Sequence, residues 1–242
     1  MKQHLINVYI LLIFTSGSIF SQVTSEQTHY GASSLSMAAS DIAIPKTSWS
    51  AFVNAAGIVD QQGVTFVASS QSHFSQDFLS HSLFGVQFKN SKYGSFGISL
   101  ENSSVDYSGN NLATETAIGI HQGISLRSDR NSSFSFGYGL KSYTVDYGSS
   151  AGPSGDGSDG IELGSLNAFG LDVSFLGSLG KRIRVGAKAL NINSPTLGNA
   201  NLATRLPQRS QIGLAYSPYD LVWTTAALNK SVGHPTNFSS GF

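Results

Sequence analysis

The sequence predicts an all-β protein, an antiparallel transmembrane β-barrel preceded by an amino-terminal plug segment. Three observations lead to this fold class. Apolar residues alternate with small or polar residues over most of the chain, charged residues are only 12% of it, and the links between predicted strands are alternately short and long. Outer-membrane barrels combine these features, because each strand faces lipid on one side and the lumen on the other.

The first 21 residues have the pattern of a secretory signal peptide. Lys2 supplies the positive start, residues 5–14 are almost wholly apolar, and small residues follow up to Ser21. An apolar run of about ten residues is too short for a spanning helix, which needs about twenty. We therefore expect export, with cleavage between Ser21 and Gln22.

Composition excludes several classes of site and partner. The chain has no cysteine, which rules out a lipidated amino terminus, a disulfide framework and thiolate metal sites. The formal net charge is zero and the isoelectric point is near 7.0. A nucleic-acid partner would require a basic patch, so none is expected.

Residues 22–62 form an irregular segment between the leader and the β pattern. Neither helical nor strand periodicity is sustained there. We interpret it as a periplasmic or plug segment, followed by a barrel domain at residues 63–242.

Alternation marks the strands of that domain, less regularly at residues 221–229. In residues 133–143, for example, Phe134, Phe136 and Leu140 alternate with Gly137 and Lys141. The same reading yields about nine strands, at residues 63–70, 82–88, 93–101, 117–127, 133–143, 169–175, 183–188, 211–216 and 221–229.

The strands of a soluble β-sandwich would also alternate between apolar and polar residues. The lengths of the links between strands favour the barrel. Short links are predicted near residues 90–92, 129–132, 177–182 and 218–220, and long ones at residues 106–113, 148–160 and 194–208. A barrel places tight turns at the periplasmic end and long loops outside. A Greek-key sandwich has no reason to keep its two ends so different.

Ionisable side chains fall on the polar face of the predicted strands. One interpretation is a lumen that binds or conducts a ligand. The other is a filled barrel in which these charges neutralise one another and solvate the plug. The lumen candidates are Glu101, His121, Arg127, Lys141, Arg184 and Lys188.

Catalytic and metal sites are not predicted. The stretch from Gly148 to Gly152 matches G-x-S-x-G, but that motif needs a strand-to-helix turn and a His base, and no helix fits the Gly-rich residues 148–160. The same loop contains three carboxylates whose oxygens are of the kind that bind calcium, Asp156, Asp159 and Glu162. The alternative is that they are solvated residues of an outer loop. The histidines lack metal-ligand spacing. We expect no catalytic residue, no metal and no cofactor.

Residues 31–57, GASSLSMAASDIAIPKTSWSAFVNAAG, resemble the amino-terminal signature of the PorV/PorQ group of outer-membrane proteins and, more distantly, of the FadL fatty-acid channels. The departures are Ser36, Ala38 and Ala39 in place of glycines, Lys46 and Thr47 in place of two aspartates, and Ala55 in place of proline. Residues 191–195 and 206–216 continue the resemblance. The matching motif residues are Gly31, Ala32, Met37, Asn54, Ala56 and Gly57.

The resemblance implies a FadL-like barrel of roughly fourteen strands with the amino-terminal segment folded into the lumen. An open sheet in lipid would expose unpaired backbone groups that each cost several kcal/mol, so the sheet must close. With about nine strands present, we expect a partial barrel, truncated near Gly233, where the next strand should begin. The alternative is that the terminal Phe242 is a barrel-assembly signal.

The function that the resemblance implies is non-catalytic. It is an outer-membrane component of type IX protein secretion in a gram-negative bacterium, docking or shuttling exported proteins. The implied partners are outer-membrane lipids and secreted cargo proteins or other secretion-system components. A FadL-like passive channel for hydrophobic small molecules is the alternative, and a structural surface barrel is a third reading.

Overall fold

The computed structural model describes residues 29–44, 46–72, 78–90, 92–107, 110–150, 152–155, 159–180, 182–198, 203–220 and 222–242. The predicted signal peptide, His73 and Asp156 lie outside these residues. No helix in the described part of the chain is long and apolar enough to cross a membrane.

Ten strands form one antiparallel sheet in which neighbours in the chain are neighbours in space. Strands account for 63% of the described residues, which confirms the all-β class. The sheet strands are β1 (Val64–Ser72), β2 (Leu79–Asn90), β3 (Gly94–Tyr107), β4 (Asn110–Ser128), β5 (Ser132–Ser149), β6 (Glu162–Leu179), β7 (Ile183–Leu190), β10 (Arg209–Tyr216), β11 (Thr224–Ser231) and β12 (Asn237–Gly241). The short strands β8 (Thr196–Leu197) and β9 (Thr204–Arg205) pair with each other within the link between β7 and β10.

The predicted closure of this sheet is not seen within the described residues, where β1 and β12 are edge strands. A further strand was expected to begin near Gly233, and β12 follows that residue; alternation did not mark it, because its five residues carry Phe238 as their one large apolar side chain. The long link predicted at residues 106–113 is also wrong. Strands β3 and β4 continue to Tyr107 and from Asn110, so their link is short.

Alternation gives the sheet two unlike faces. The pairings align Val86, Ile98, Ile120, Leu140 and Leu171 in one row across five strands. We call this side the apolar face; Ile120 is 61% exposed on it and Leu171 44%. The adjacent row, on the other side, consists of Gln87, Gly97, His121, Gly139 and Asp172.

The amino-terminal segment (residues 29–62) packs on that second side, which we call the covered face. It contains helices α1 (Gly31–Ser36) and α2 (Ser50–Val53) and the 3-10 turns Asp41–Ala43 and Ala55–Asp60. Tyr30, Ile42, Phe52 and Ile58 are each at most 3% exposed between segment and sheet. The main apolar core therefore lies under this segment.

Two alanines of the segment adopt left-handed backbone angles. Ala38 has φ 49° and Ala39 has φ 58°, a region that costs an L-residue roughly 1–2 kcal/mol. They reverse the chain after α1, where the amide of Ala38 donates to Leu35 O and that of Ala39 to Ser34 O.

Replacing Ala38 by glycine should therefore stabilise the protein. Ala38 is exposed, so its methyl group contributes little packing. We expect Ala38→Gly to raise the free energy of unfolding by about 0.5–1 kcal/mol, since relief of left-handed strain exceeds the added unfolded-state entropy. Thermal unfolding measures the shift. Ala32→Gly, in exposed helical backbone of α1, should lower stability instead; equal effects of the two variants would contradict the strain argument.

Candidate functional site: the interface between the amino-terminal segment and the covered face

Glycine residues on the strands leave space for the backbone of the amino-terminal segment. A Cβ added to Gly137 would overlap the backbone of Ala55 and Ala56, and one on Gly186 would lie 2.5 Å from Ile42 O. Gly123 faces Ala55 O in the same way, at 2.7 Å. At these positions a side chain would prevent the backbone of the segment from approaching the strand. The strand glycines therefore allow the segment to pack directly on the sheet.

Asn54 joins the two turns of the segment to the sheet. Its side-chain amide donates to Ile42 O at 2.9 Å and to Phe175 O at 3.1 Å, while its Oδ1 accepts from the amide of Ala56 at 3.1 Å. The Ala56 amide also donates to Ser174 Oγ at 3.1 Å. Asn54 is 3% exposed and Ala56 is fully buried, so both motif residues have a structural role here.

Further polar contacts continue this attachment toward β10 and β11. The hydroxyls of Ser40 and Thr225 lie 2.6 Å apart, and Gln211 Nε2 donates to Ala39 O at 2.6 Å. Ser34 donates to Asp41 Oδ1 at 3.1 Å. Burial raises the pKa of Asp41, against the opposing effects of Lys188 and of hydrogen bonds. Burial also raises the pKa of Tyr30 to about 12, so this phenol stays neutral.

A buried ion pair lies at the centre of the covered face. Lys141 Nζ is 3.0 Å from Glu101 Oε1, and the two side chains are only 5% and 1% exposed. The neighbouring His121 is 3% exposed and shares a hydrogen bond of 2.8 Å with Ser99. Its ring occupies space that a Cβ on Gly119 or Gly139 would take. Three of the predicted lumen candidates are thus brought together.

Lys188 and Arg184, both on β7, reach the segment from the side. Lys188 Nζ is 5.5 Å from the ring centroid of Tyr30. Arg184 pairs with Asp60 at 2.6 Å, which ties the last turn of the segment to β7. Arg184 and Asp60 thus form an ion pair between the sheet and the segment, whereas Lys188 contacts the ring of Tyr30.

Arg127 does not join this group. Its side chain is 71% exposed and pairs with Asp129 at the end of β4. The β4–β5 register shifts between Ser125 and Arg127. Such a bulge breaks the two-residue period from which the face of Arg127 was predicted.

Asp172, 7% exposed, is a buried acid that the sequence analysis did not select. Its Oδ1 accepts from the amide of Asn191 at 2.9 Å, while Oδ2 has no hydrogen-bond partner among the described residues. Beside it lies a cavity of about 20 Å³, large enough for about one water molecule. Its polar lining includes His121, Lys141, Asp172 and Lys188.

Other buried polar residues were also missed, although alternation carries the signal. Gln87 accepts from the amide of Ala51 at 3.1 Å, and Asn191 accepts from the hydroxyl of Tyr143 at 3.1 Å. Gln87 lies in the same row as His121 and Asp172. A search for every polar residue on the small-residue face, charged or not, would have found it.

The described residues contain no group of three or more His, Cys, Asp or Glu arranged to hold a metal ion. Asp159 instead accepts from the amide and hydroxyl of Ser154. Gly148 and Ser149 are the last residues of β5, and Ser150 and Gly152 come after the strand. No helix follows within the described residues up to β6.

Comparison with known proteins yields no relative. No protein-family model, no curated protein and no solved structure matches this chain.

Proposed function

We propose that the chain is a non-catalytic outer-membrane β-barrel resembling the PorV/PorQ components of type IX secretion, and that it docks or shuttles exported proteins. The amino-terminal segment is its fixed plug. The observation that carries the proposal is a sheet with one continuous apolar face and one polar face covered by this segment.

The apolar face supports insertion into lipid. Its large side chains stay exposed from β2 to β10, including Phe84, Ile118, Phe169 and Leu214, each between 47% and 62% exposed. Monomeric soluble proteins rarely leave so large an apolar surface uncovered. The described residues contain no second sheet of comparable size to cover it, as a sandwich would require.

The covered face supports a plugged lumen rather than an open channel. Its central charge, Lys141, is neutralised by Glu101, and glycines such as Gly137 and Gly186 admit the segment's backbone. A passive channel would have to remove this segment and expose a buried charged pair. Exposing this buried pair and removing the segment would be energetically costly. Docking of a protein at the strand ends that carry the long links is therefore favoured over passage through the lumen.

The backbone of the segment supports the resemblance to the PorV/PorQ signature. Ala38 and Ala39, which replace two glycines of that pattern, have positive φ angles. Gly31, the first residue of the pattern, has φ 73° and packs against Trp49 so closely that a Cβ would lie 2.5 Å from the indole. The conformations that favour glycine are therefore retained at these three positions.

Cargo contact is expected at the end of the sheet that carries the long links. There the β5–β6 and β7–β10 links span residues 150–161 and 191–208, whereas the opposite end has short links such as residues 129–131 and 180–182. Exposed loops on a rigid sheet are common binding elements.

Site-specific photocrosslinking in the native host tests this role. A photoreactive residue at Pro153, exposed in the β5–β6 link, should capture an exported protein; one at Asn131, exposed in a short link, is the matched control. Recovery of lipid alone from both positions would contradict docking. Loss of hydrophobic-substrate uptake in a deletion strain would favour the channel.

A further inference from the structure

The part of β6 nearest the long links is an unpaired strand edge. Strand β6 extends over Glu162–Leu179, but β7 pairs only with its second part, from Val173 to Leu179. On its other side, β5 pairs with β6 as far as Glu162. Among the described residues no strand pairs with β6 on the β7 side between Glu162 and Val173, so the sheet has a step at this point.

The link after β7 fills only the beginning of this edge. The amide of Ile192 donates to Leu171 O at 2.9 Å. The side-chain amide of Asn193 then takes the place of a strand residue, because its Oδ1 accepts from the Leu171 amide at 2.9 Å and its Nδ2 donates to Phe169 O at 2.7 Å. The backbone groups of Leu171 and Phe169 therefore point away from β5, toward the step.

Beyond Phe169 the described residues leave the edge open. Backbone groups alternate in direction along a strand, so those of Ser165 and Asn167 point the same way as those of Phe169. Ser165 and Asn167 are both exposed. Their polar side chains, and the cost of an open edge in hydrocarbon, place this part of β6 outside the lipid. Unpaired backbone groups at strand spacing are a template for another strand.

The charges around this edge favour a basic strand. Residues 102–117 and 142–169, which include the long-link ends of β3 to β6, contain no Lys or Arg. Asp146 lies opposite Ser165 on β5, so a strand added on the other side of β6 would lie about 10 Å away, roughly one Debye length. The β7–β10 link contributes Arg205 as its only basic residue. The acids in the described parts of these ranges are Asp106, Glu115, Asp146, Asp159 and Glu162.

We infer that the edge of β6 from Ser165 to Phe169 is a strand-addition site, to which an extended segment of an exported protein with basic side chains pairs through backbone hydrogen bonds. Main-chain bonds supply the affinity in this mode of recognition, and side chains supply the selectivity. The added strand continues the interface that Ile192 and Asn193 begin on β6. The inference rests on the proposed docking function and states how the partner is held.

Titration of the purified full-length chain in detergent with an octapeptide of alternating threonine and lysine tests the inference. Saturable binding is expected at low ionic strength, and added salt should weaken it. Hydrogen exchange at the amides of Ser165, Asn167 and Phe169 should be fast in the free protein and slow in the complex. Absence of saturation would overturn the inference. Slow exchange before the peptide is added would also overturn it, because the chain itself or a second copy would then occupy the edge.

Asn167→Pro removes one amide from the edge, and Asn167→Ala is its matched control. Both variants lose the hydrogen bond from Thr144 to Asn167 Oδ1, but only proline removes a backbone donor. We expect Asn167→Pro to raise the Kd about tenfold and Asn167→Ala to change it less than about threefold, with circular dichroism verifying that both keep their strands. An octapeptide with glutamate in place of lysine should bind more weakly. Equal weakening by the two variants, or equal binding of the two peptides, would contradict addition of a basic strand.

Photocrosslinking at Pro153 separates this inference from the proposed function. Capture of an exported protein at Pro153, with no binding of the octapeptide, would leave docking in place and overturn strand addition at β6. Binding of the octapeptide without capture at Pro153 would support the strand-addition site and contradict the role in secretion.

Discussion

Glu101→Leu should lower the free energy of unfolding by about 3–5 kcal/mol, because it leaves the Lys141 ammonium buried without its partner. Lys141→Met should cost a similar amount by isolating the Glu101 carboxylate. The double variant Glu101→Leu/Lys141→Met should recover most of the loss, since an apolar pair of similar volume can replace a buried ion pair. Denaturant unfolding of the four proteins in one detergent measures the coupling.

The exposed pair Arg127–Asp129 is the matched control. Its side chains are 71% and 50% exposed, so Arg127→Met should change stability by less than about 1 kcal/mol. Additive losses in the Glu101/Lys141 double variant would show that the two side chains do not interact in the folded protein. The covered face would then not be neutralised in the way that the plugged barrel requires.

Gly137→Ala should detach the second turn of the amino-terminal segment. The new methyl group would overlap the backbone of Ala55 and Ala56, and backbone cannot move aside as a flexible side chain can. Overpacking of this kind costs about 1–3 kcal/mol or more. Hydrogen exchange at the amides of residues 50–60 should become faster, since Ala56 loses its bond to Ser174.

Gly177→Ala on β6 is the control for this change. A Cβ there meets its nearest neighbour, Phe134, at an ordinary 3.7 Å, so exchange in the segment should be unaltered. Should Gly137→Ala leave exchange at residues 50–60 as slow as in the parent protein, the segment would not rest on β5 as described.

Period-two alternation was enough to predict nine of the ten strands of the sheet and their two faces. The small-residue side of β4 and β5 is the covered side, as Gly119, His121 and Lys141 show. Alternation does not mark β12, although a further strand was expected to begin near Gly233; its five residues pair with β11. The extension of β3 and β4 past residues 106–113 likewise depends on pairing of polar residues that have no apolar period.

Within the candidate site, the sequence predicted which face a side chain occupies better than which partner it meets. Five of the six lumen candidates contact the covered face or the segment. Arg127 does not, because a bulge changed the register. The pairing of Lys141 with Glu101 arises from registers between β3, β4 and β5. No spacing along the chain encodes it.

The most direct test of the barrel itself is heat-dependent gel mobility of the protein in fractionated host membranes. A folded β-barrel in the outer membrane should migrate at an anomalous position when the sample is not heated, and shift to the mobility of its unfolded mass on boiling. Recovery of the chain in the soluble fraction, with one mobility before and after boiling, would contradict a membrane-inserted barrel.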